Sequence, residues 1–183
     1  MKAFSLNAAL TITLLRFLLA PLIVWLLLSQ NYPAALATFL LGSISDALDG
    51  YIARRFDQAT PLGALLDPLA DKLLVACGVL TLTWLGHFPL WLMTAILLRD
   101  VVIMAGALAY KRATGRLEMS PLIISKLNTA VQFILVLTIL AGASGVQWLS
   151  GTLPLLVWLT LATTLASGIQ YVWEWSRRSQ RKG

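Results

Sequence analysis

Charged residues, cysteine and histidine are all scarce in this chain of 183 residues. Only 12% of the residues are charged, against roughly 25% in an average soluble domain, whereas 58% are hydrophobic and the mean hydropathy is +0.80. The single cysteine, Cys77, lies in an apolar run and excludes an intrachain disulfide, so we expect an ordinary core thiol there. The composition predicts an integral membrane protein that forms one helical domain over residues 1–183.

The 14 basic residues give the chain a net charge of +6, but they are scattered in short groups. No long soluble basic face is available to bind nucleic acid, which excludes nucleic acid as an expected partner. Anionic phospholipid headgroups, or substrates that carry phosphate, fit this charge distribution better. We therefore expect the partners to be membrane lipids and phosphorylated substrates.

Six apolar segments are each long enough to cross a bilayer, which takes about 20 helical residues. Several begin with proline, which suits the first turn of a helix because the backbone N–H that proline lacks has no partner there. The pattern predicts an all-α fold of six transmembrane helices. Their expected spans are Thr11–Ser29, Pro33–Tyr51, Pro68–Leu85, Pro89–Tyr110, Pro121–Ala141 and Pro154–Trp173.

Lysine and arginine are absent from alternate connecting loops, namely Ser29–Tyr32, Gly86–Phe88 and Gly142–Leu153. By the positive-inside rule, the other loops and both termini are predicted to be cytoplasmic. We expect residues 1–10 to form a lead-in along the membrane surface and residues 174–183 to form a basic tail. Because no cleavable signal or transit peptide is evident, the expected location is a bacterial plasma membrane.

Five of the eight acidic residues lie in one stretch that begins at Asp46, and four of them form two pairs. Asp46 and Asp49 are three residues apart and Asp67 and Asp71 are four apart, so on helices each pair lies on one face. If the second and third helices are antiparallel, the pairs meet at the cytoplasmic ends, where four carboxylates stay ionised only with cations between them. Because the ligands are hard oxygens, we expect two Mg²⁺ or Mn²⁺ ions, which can clamp a diphosphate.

Small residues and one cation accompany these acids. Gly50, Ala53 and Gly63 leave room for a flat base or a phosphate beside the backbone, and Arg54 is placed to pair with phosphate oxygens. The pattern Asp46-x2-Asp49-Gly50-x2-Ala53-Arg54-x8-Gly63-x3-Asp67-x3-Asp71 resembles, at all eight positions, the signature of the CDP-alcohol phosphotransferase family.

The resemblance implies a six-helix membrane enzyme, usually a homodimer. Such an enzyme transfers a phosphoalcohol group from a CDP-linked donor to an acceptor hydroxyl and releases CMP. It implies that Asp46, Asp49 and Asp67 ligate metal, and that Asp71 either ligates metal or is the general base for the acceptor hydroxyl. The implied CDP site consists of Asp46, Asp49, Gly50, Ala53, Arg54 and Gly63.

Two further segments, Thr60–Leu74 and Thr13-x2-Arg16-x4-Pro21, resemble the branches of the family that take CDP-diacylglycerol as donor. One branch uses glycerol 3-phosphate as acceptor, and the other uses phosphatidylglycerol and forms cardiolipin. This chain departs from their shared pattern at Leu10, where an asparagine is usual, and this affects one expected contact near the donor site. The expected donor is CDP-diacylglycerol.

The acceptor is predicted from the later helices. Arg99–Val101 and Ser125–Gln132 resemble the cardiolipin-forming branch, because the other branch usually has a second lysine where Asn128 stands. Glycerol 3-phosphate carries a largely dianionic phosphate that favours an extra cation, whereas phosphatidylglycerol is a monoanionic diester. We therefore expect phosphatidylglycerol, with glycerol 3-phosphate as the alternative. The expected ligands of the acceptor phosphate are Arg99, Lys126, Arg112 and Arg116.

Other interpretations of these residues stay open. The four basic residues can instead be anchors whose side chains extend to the cytoplasmic interface. Asp100 either has a catalytic role or pairs with a neighbouring basic residue. A cation transporter is the alternative from another functional class, although it does not account for the small residues and Arg54 at their spacing. An inactive relative that serves as a scaffold is disfavoured because every signature position is present.

Overall fold

The computed structural model describes the backbone of residues 8–42, 61–114 and 123–180, and the side chains of 17–42, 72–106, 123–146, 148–149 and 151–174. The described backbone contains helices and turns and no strand, which confirms the all-α prediction for this part of the chain. Its helices are α1 (Ala8–Leu28), α2 (Tyr32–Gly42), α3 (Pro61–Trp84), α4 (Leu90–Thr114), α5 (Ile123–Ala143), a 3₁₀ helix (Gln147–Thr152) and α6 (Leu153–Gln180).

Two helical stretches, Ile123–Ala143 and Leu153–Glu174, are long and apolar enough to cross a membrane. Shorter apolar helical stretches also occur among the described residues, at Phe17–Leu28, Tyr32–Gly42 and Lys72–Trp84. A helix therefore coincides with each predicted span over the residues described. The six-span topology and the cytoplasmic position of both termini stay predictions.

The helices extend beyond the apolar runs at several ends. Helix α3 begins at Pro61 rather than Pro68, which again places a proline at the first helical position. Helix α4 continues to Thr114 and α6 to Gln180, past the last apolar residues of their spans. The extensions of α4 and α6 contain Lys, Arg, Gln and Glu, which are good helix formers, so the polar end of an apolar run is not the end of these two helices.

Helices α1, α3 and α5 end in the same tight turn. At the end of α1 the N–H groups of Gln30 and Asn31 donate to carbonyls of the last helical turn at 2.9 Å. Gln30 has a left-handed backbone (φ 57°), and the corresponding residues after α3 and α5 are Gly86 (φ 79°) and Gly145 (φ 98°). The Oδ1 atom of Asn31 then accepts from the N–H of Ala34 at 3.3 Å and caps α2. These three turns lie in the loops that contain no lysine or arginine.

By their contacts the residues form two compact units, one of Met1–His87 with Val136–Ser150 and one of Phe88–Leu135 with Gly151–Gly183. In the first unit α1 packs against α3. The side chains of Ile23, Leu27, Phe39 and Leu82 are fully buried there. The single domain over residues 1–183 stays a prediction.

Two glycines of the first unit differ in the room around them. A Cβ atom added at Gly42 would lie 3.0 Å from Leu74 Cδ2 and 3.4 Å from Leu19 Cδ1, so a leucine would have to move. A Cβ atom added at Gly78 would lie 3.5 Å from the nearest atom, Phe39 Cε2, which is an ordinary contact. Gly42 therefore allows the close packing of α2 against α3, directly before the acidic stretch.

We expect Gly42→Ala to lower the free energy of unfolding by about 1 kcal/mol relative to Gly78→Ala, because only the first change overfills its site. Both glycines are helical, so the gain in helix propensity is shared by the two variants and cancels. Thermal unfolding of both variants in the same detergent measures the difference. Equal midpoints would show that the leucines beside Gly42 move at no cost.

The second unit, in which α4 packs against α6, buries many polar side chains beside apolar ones such as Leu92 and Leu135, and it exposes large apolar side chains. Its fully or nearly buried polar side chains are Arg99, Asn128, Gln132, Thr160, Thr163, Thr164 and Ser167. The exposed side chains of α6 include Leu155, Trp158, Leu159, Leu165 and Ile169. Polar groups inside and large apolar groups outside are typical of helices surrounded by lipid.

Candidate active site

The acidic signature is only partly covered by the described residues. Gly63, Asp67 and Asp71 lie in α3, where the backbone is described and the side chains are not. Asp67 and Asp71 therefore lie on one helix, which begins before the predicted span Pro68–Leu85 and so includes Asp67. The other signature residues lie outside the described residues: Asp46, Asp49, Gly50, Ala53 and Arg54.

The helix that carries Asp67 and Asp71 is anchored just beyond them. Leu74, Val79 and Leu82 are buried on the later turns of α3. Because a helix transmits its position rigidly over one or two turns, this packing fixes the helical segment that contains both aspartates.

The signature aspartates are the candidate ligands for divalent cations. Among the described side chains, no group of three or more His, Cys, Asp or Glu residues could hold a metal ion. The four signature aspartates lie outside that set of side chains. They supply only carboxylate oxygens, which is the donor set that Mg²⁺ and Mn²⁺ prefer, so the residues fit the expected ions.

Arg99 is buried in the second unit, where its guanidinium group bonds to residues of three helices. Its side chain is only 6% exposed. Nη1 donates to Asp100 Oδ1 at 2.6 Å, and Nη2 donates to Ser125 Oγ at 2.6 Å and to Ser167 Oγ at 2.5 Å. The planar guanidinium makes these bonds from two nitrogens of a rigid fork, whereas a lysine would have to make all of them from one nitrogen. Arg99 therefore joins α4, α5 and α6 at one point.

Asp100 forms an ion pair with Arg99. The sequence left a catalytic role or a bond to a neighbouring basic residue open, and the 2.6 Å contact confirms the bond. A charge in an apolar environment needs such a partner, since an unpaired arginine at this depth is costly. The Nε–H group of Arg99 nevertheless has no hydrogen-bond partner among the described residues.

Asn128 forms a second polar contact between α5 and α6. It is completely buried, and its Oδ1 atom accepts hydrogen bonds from the hydroxyl groups of Thr163 and Thr164, each at 2.9 Å. Its Nδ2 atom is buried as well and has no hydrogen-bond partner in the described part of the chain. The side-chain carbonyl of Asn128 thus bonds to α6, and its N–H donors have no partner in the described part of the chain.

The four basic residues that the sequence pattern assigned to the acceptor phosphate differ in their surroundings. Arg99 is buried and paired, whereas Lys126 is exposed. Arg112 lies in α4, but its side chain is outside the described set, and Arg116 lies outside the described residues altogether. The role of all four as phosphate ligands stays a prediction.

Ser125, Thr163, Thr164 and Ser167 were not predicted as site residues. A signal was present on α6, where Thr160, Thr163, Thr164 and Ser167 recur every three or four residues inside an apolar run. That spacing places them along one helical face, and in lipid a face of this kind is expected to be buried.

The described backbone is helical, two of its helices are long and apolar enough to cross a membrane, and polar side chains are buried between helices, as they are in helical membrane proteins. The chain belongs to the CDP-alcohol phosphatidyltransferase family, whose family model matches residues 6–166. The resemblance carried by the eight-residue signature is thereby confirmed.

Curated relatives from several lineages are similar to most of this chain. It is 37% identical over 179 residues to cardiolipin synthase (CMP-forming) of Rattus norvegicus, which covers 87% of this chain and 58% of the relative. It is 32% identical over 170 residues to CDP-diacylglycerol–glycerol-3-phosphate 3-phosphatidyltransferase 1, chloroplastic, of Oryza sativa subsp. japonica, with 82% and 51% covered. It is 27% identical over 174 residues to the enzyme named CDP-diacylglycerol–glycerol-3-phosphate 3-phosphatidyltransferase in Blochmanniella floridana, with 91% and 90% covered. The chain thus spans little more than half the length of the first two relatives.

Proposed function

We propose that this protein is an integral membrane phosphatidyltransferase. It transfers the phosphatidyl group of CDP-diacylglycerol to an acceptor hydroxyl, releases CMP, and uses phosphatidylglycerol as acceptor, so that the product is cardiolipin. The observation that carries the proposal is the complete signature from Asp46 to Asp71 in a chain of this family.

The proposed reaction is a displacement at the β-phosphate of the donor. The oxygen of the acceptor hydroxyl forms a bond to the β-phosphorus, the bond from that phosphorus to CMP breaks, and CMP leaves. Asp71 takes the proton of the hydroxyl, and Arg54 pairs with phosphate oxygens of the donor. Gly50, Ala53 and Gly63 allow the nucleotide to lie against the backbone.

Two divalent cations, Mg²⁺ or Mn²⁺, complete the proposed site. Asp46, Asp49 and Asp67 hold them, together with Asp71 when that residue is not acting as the base. When bound, the ions neutralise charge on the diphosphate and on the leaving oxygen. The proposed site faces the cytoplasm of a bacterial plasma membrane, since the positive-inside pattern places the acidic stretch there. We also propose a homodimer, as is usual in this family.

The charge of the described acceptor region favours phosphatidylglycerol. Arg99 is already neutralised by Asp100 at 2.6 Å, and Asn128 adds a neutral amide. A monoanionic phosphodiester needs less positive charge than the dianionic phosphate of glycerol 3-phosphate. The second candidate is transfer to glycerol 3-phosphate, which the names of the Oryza and Blochmanniella relatives favour.

The proposal is tested with the purified full chain, Mg²⁺ or Mn²⁺, and labelled CDP-diacylglycerol. Phosphatidylglycerol and glycerol 3-phosphate are offered separately, and the lipid products are resolved. We expect CMP release and cardiolipin with phosphatidylglycerol. Phosphatidylglycerophosphate in place of cardiolipin would establish the second candidate. No CMP release with either acceptor, together with cation flux into vesicles without nucleotide, would overturn phosphatidyl transfer in favour of a transporter.

A further inference from the structure

A row of buried polar side chains connects α4, α5 and α6 in the second unit. We call it the polar seam, and it consists of Arg99, Ser125, Asn128, Thr163, Thr164 and Ser167. The bonds through Arg99 bring Ser125 level with Ser167, and Asn128 lies level with Thr163 and Thr164. Residue numbers rise along α5 while they fall along α6, so these two helices are antiparallel here. The Arg99 and Asn128 contacts therefore occupy neighbouring turns of one seam.

The side-chain amide of Asn128 is hydrogen-bonded at its oxygen and not at its nitrogen. A primary amide has two acceptor sites on oxygen and two N–H donors on nitrogen. The hydroxyl oxygens of Thr163 and Thr164 each lie 2.9 Å from the amide oxygen, and neither N–H has a partner among the described residues. Both contacts are therefore on the oxygen side of the amide. The amide oxygen faces α6, and the nitrogen is a donor without a partner in the described part of the chain.

The two threonines are not equivalent in this arrangement. Thr163 Oγ1 also lies within hydrogen-bond distance of the carbonyls of Leu159 and Thr160, at 2.9 and 3.1 Å. The only hydrogen bond of the Thr164 hydroxyl among the described residues is the one to Asn128 Oδ1. A hydroxyl has one proton to donate, so Thr164 is the dedicated partner of the amide and Thr163 the shared one.

The unpaired groups indicate which ligand the seam can accept. Arg99 Nε and Asn128 Nδ2 are both N–H donors, are both buried, and lie on neighbouring turns. Buried donors are almost always paired, so the chemistry that is missing is an oxygen acceptor. Because the charge of Arg99 is balanced by Asp100, an oxygen with a full double negative charge is not required. An oxygen of a phosphodiester or an ester matches these donors.

We propose that Thr163 and Thr164 are positioning residues for acceptor selectivity. They hold the Asn128 amide so that Nδ2, on the turn next to that of Arg99 Nε, donates to a phosphodiester oxygen of the acceptor lipid. This inference rests on the proposed phosphatidyl transfer and names the part of the chain that distinguishes a lipid phosphodiester from a phosphomonoester.

The decisive comparison is between Thr164→Val and Thr164→Ser in the full chain purified in mixed detergent and lipid micelles. Valine keeps the shape of threonine and loses the hydroxyl, whereas serine keeps the hydroxyl. We expect Thr164→Val to raise the KM for phosphatidylglycerol about tenfold, the effect of one lost hydrogen bond of about 1.4 kcal/mol. The KM for CDP-diacylglycerol and the kcat are expected to stay within about twofold of the parent values. Thr164→Ser is expected to retain the parent KM for both substrates.

Thr160→Val is the matched control. Thr160 is a completely buried threonine on the same helix, and its hydroxyl donates to the carbonyl of Leu156 rather than to Asn128. We expect this variant to keep the parent KM for phosphatidylglycerol. The Thr163→Val/Thr164→Val pair removes both hydroxyls and is expected to raise that KM further than Thr164→Val does.

Asn128→Asp tests the donor directly. A carboxylate still accepts both threonine hydroxyls but has no N–H group, and it adds a negative charge that repels a phosphodiester. We expect it to lose cardiolipin formation more than tenfold, with the KM for CDP-diacylglycerol little changed.

The outcomes separate this inference from the function on which it rests. If the parent protein forms cardiolipin but Thr164→Val leaves both KM values unchanged, the amide faces a bound water or only packs helices, and the inference is wrong. The same holds if Thr164→Ser behaves like Thr164→Val, or if Thr160→Val causes the same loss. Absence of CMP release by the parent protein with every acceptor would overturn the proposed function, and the inference with it.

Discussion

An Asp71→Asn variant is expected to lose kcat for CMP release by about 10²–10⁴-fold, the usual contribution of a general base. The amide cannot take the proton of the acceptor hydroxyl, and a higher metal concentration cannot replace that function. Asp67→Asn is expected to behave differently. It removes a metal ligand, so it should raise the Mn²⁺ concentration for half-maximal activity by at least about tenfold, since even outer partners of ligands change affinity by 10–100-fold. CMP release measured over a Mn²⁺ series distinguishes the two variants.

The same acidic stretch supplies the control for these variants. Asp57 lies between the two aspartate pairs but is not a signature position, so Asp57→Asn is expected to leave both kcat and the metal dependence close to the parent values. A chelator is expected to abolish activity of the parent protein, and added Mg²⁺ or Mn²⁺ to restore it. Rescue of Asp71→Asn by metal would contradict its role as a base and make it a fourth ligand. Full activity of Asp67→Asn without added metal would contradict the two-ion site.

Much of the helical framework follows from the hydropathy pattern. The predicted span Pro121–Ala141 corresponds to α5 at Ile123–Ala143, and Pro154–Trp173 lies within α6. These matches arise because a bilayer demands both an apolar surface and internal backbone hydrogen bonds over the same length. The ends of the helices could not be predicted as well. Helix α3 begins at Pro61, before the predicted Pro68, and both prolines suit a first helical position, so proline alone does not decide between the two starts.

The hydroxyl groups of the polar seam could not be assigned from the sequence. Many threonines in these helices donate to the carbonyl four residues earlier, as Thr38, Thr81 and Thr83 do at 2.8, 2.8 and 2.7 Å. A helical threonine is thus satisfied locally in most positions and predicts no contact. Only the three-dimensional arrangement distinguishes Thr164, whose hydroxyl reaches Asn128 across 36 residues of sequence.

For Arg99, one hydrogen-bond partner could be predicted from the sequence and two could not. Its charge within an apolar run led to the prediction of a phosphate ligand, whereas the structure shows protein partners. Asp100, the adjacent residue, was a predictable partner, but Ser125 and Ser167 are 26 and 68 residues away. The adjacent ion pair is thus evident from the sequence, whereas the contact of Arg99 with three helices is not.

Arg99→Leu is expected to lower the free energy of unfolding by about 3–5 kcal/mol, the usual effect of removing one partner of a buried ion pair. Asp100 loses its 2.6 Å partner, and Ser125 and Ser167 lose the guanidinium donor that links their helices. Arg99→Lys keeps the charge but lacks the fork, so we expect a smaller loss, of about half that size. Thermal or SDS unfolding in micelles measures both variants against the parent.

The paired change Arg99→Leu/Asp100→Asn separates helix packing from acceptor binding at this position. Replacing both members of a buried pair is often close to neutral, so stability is expected to recover to within about 1–2 kcal/mol of the parent. Cardiolipin formation is not expected to recover, because the Nε–H donor that we assign to the acceptor phosphodiester is gone. If stability and acceptor KM return together, Arg99 only joins the three helices. The acceptor phosphate must then be held by other cations. Lys126, which follows Ser125 and is exposed, is the first of these to replace.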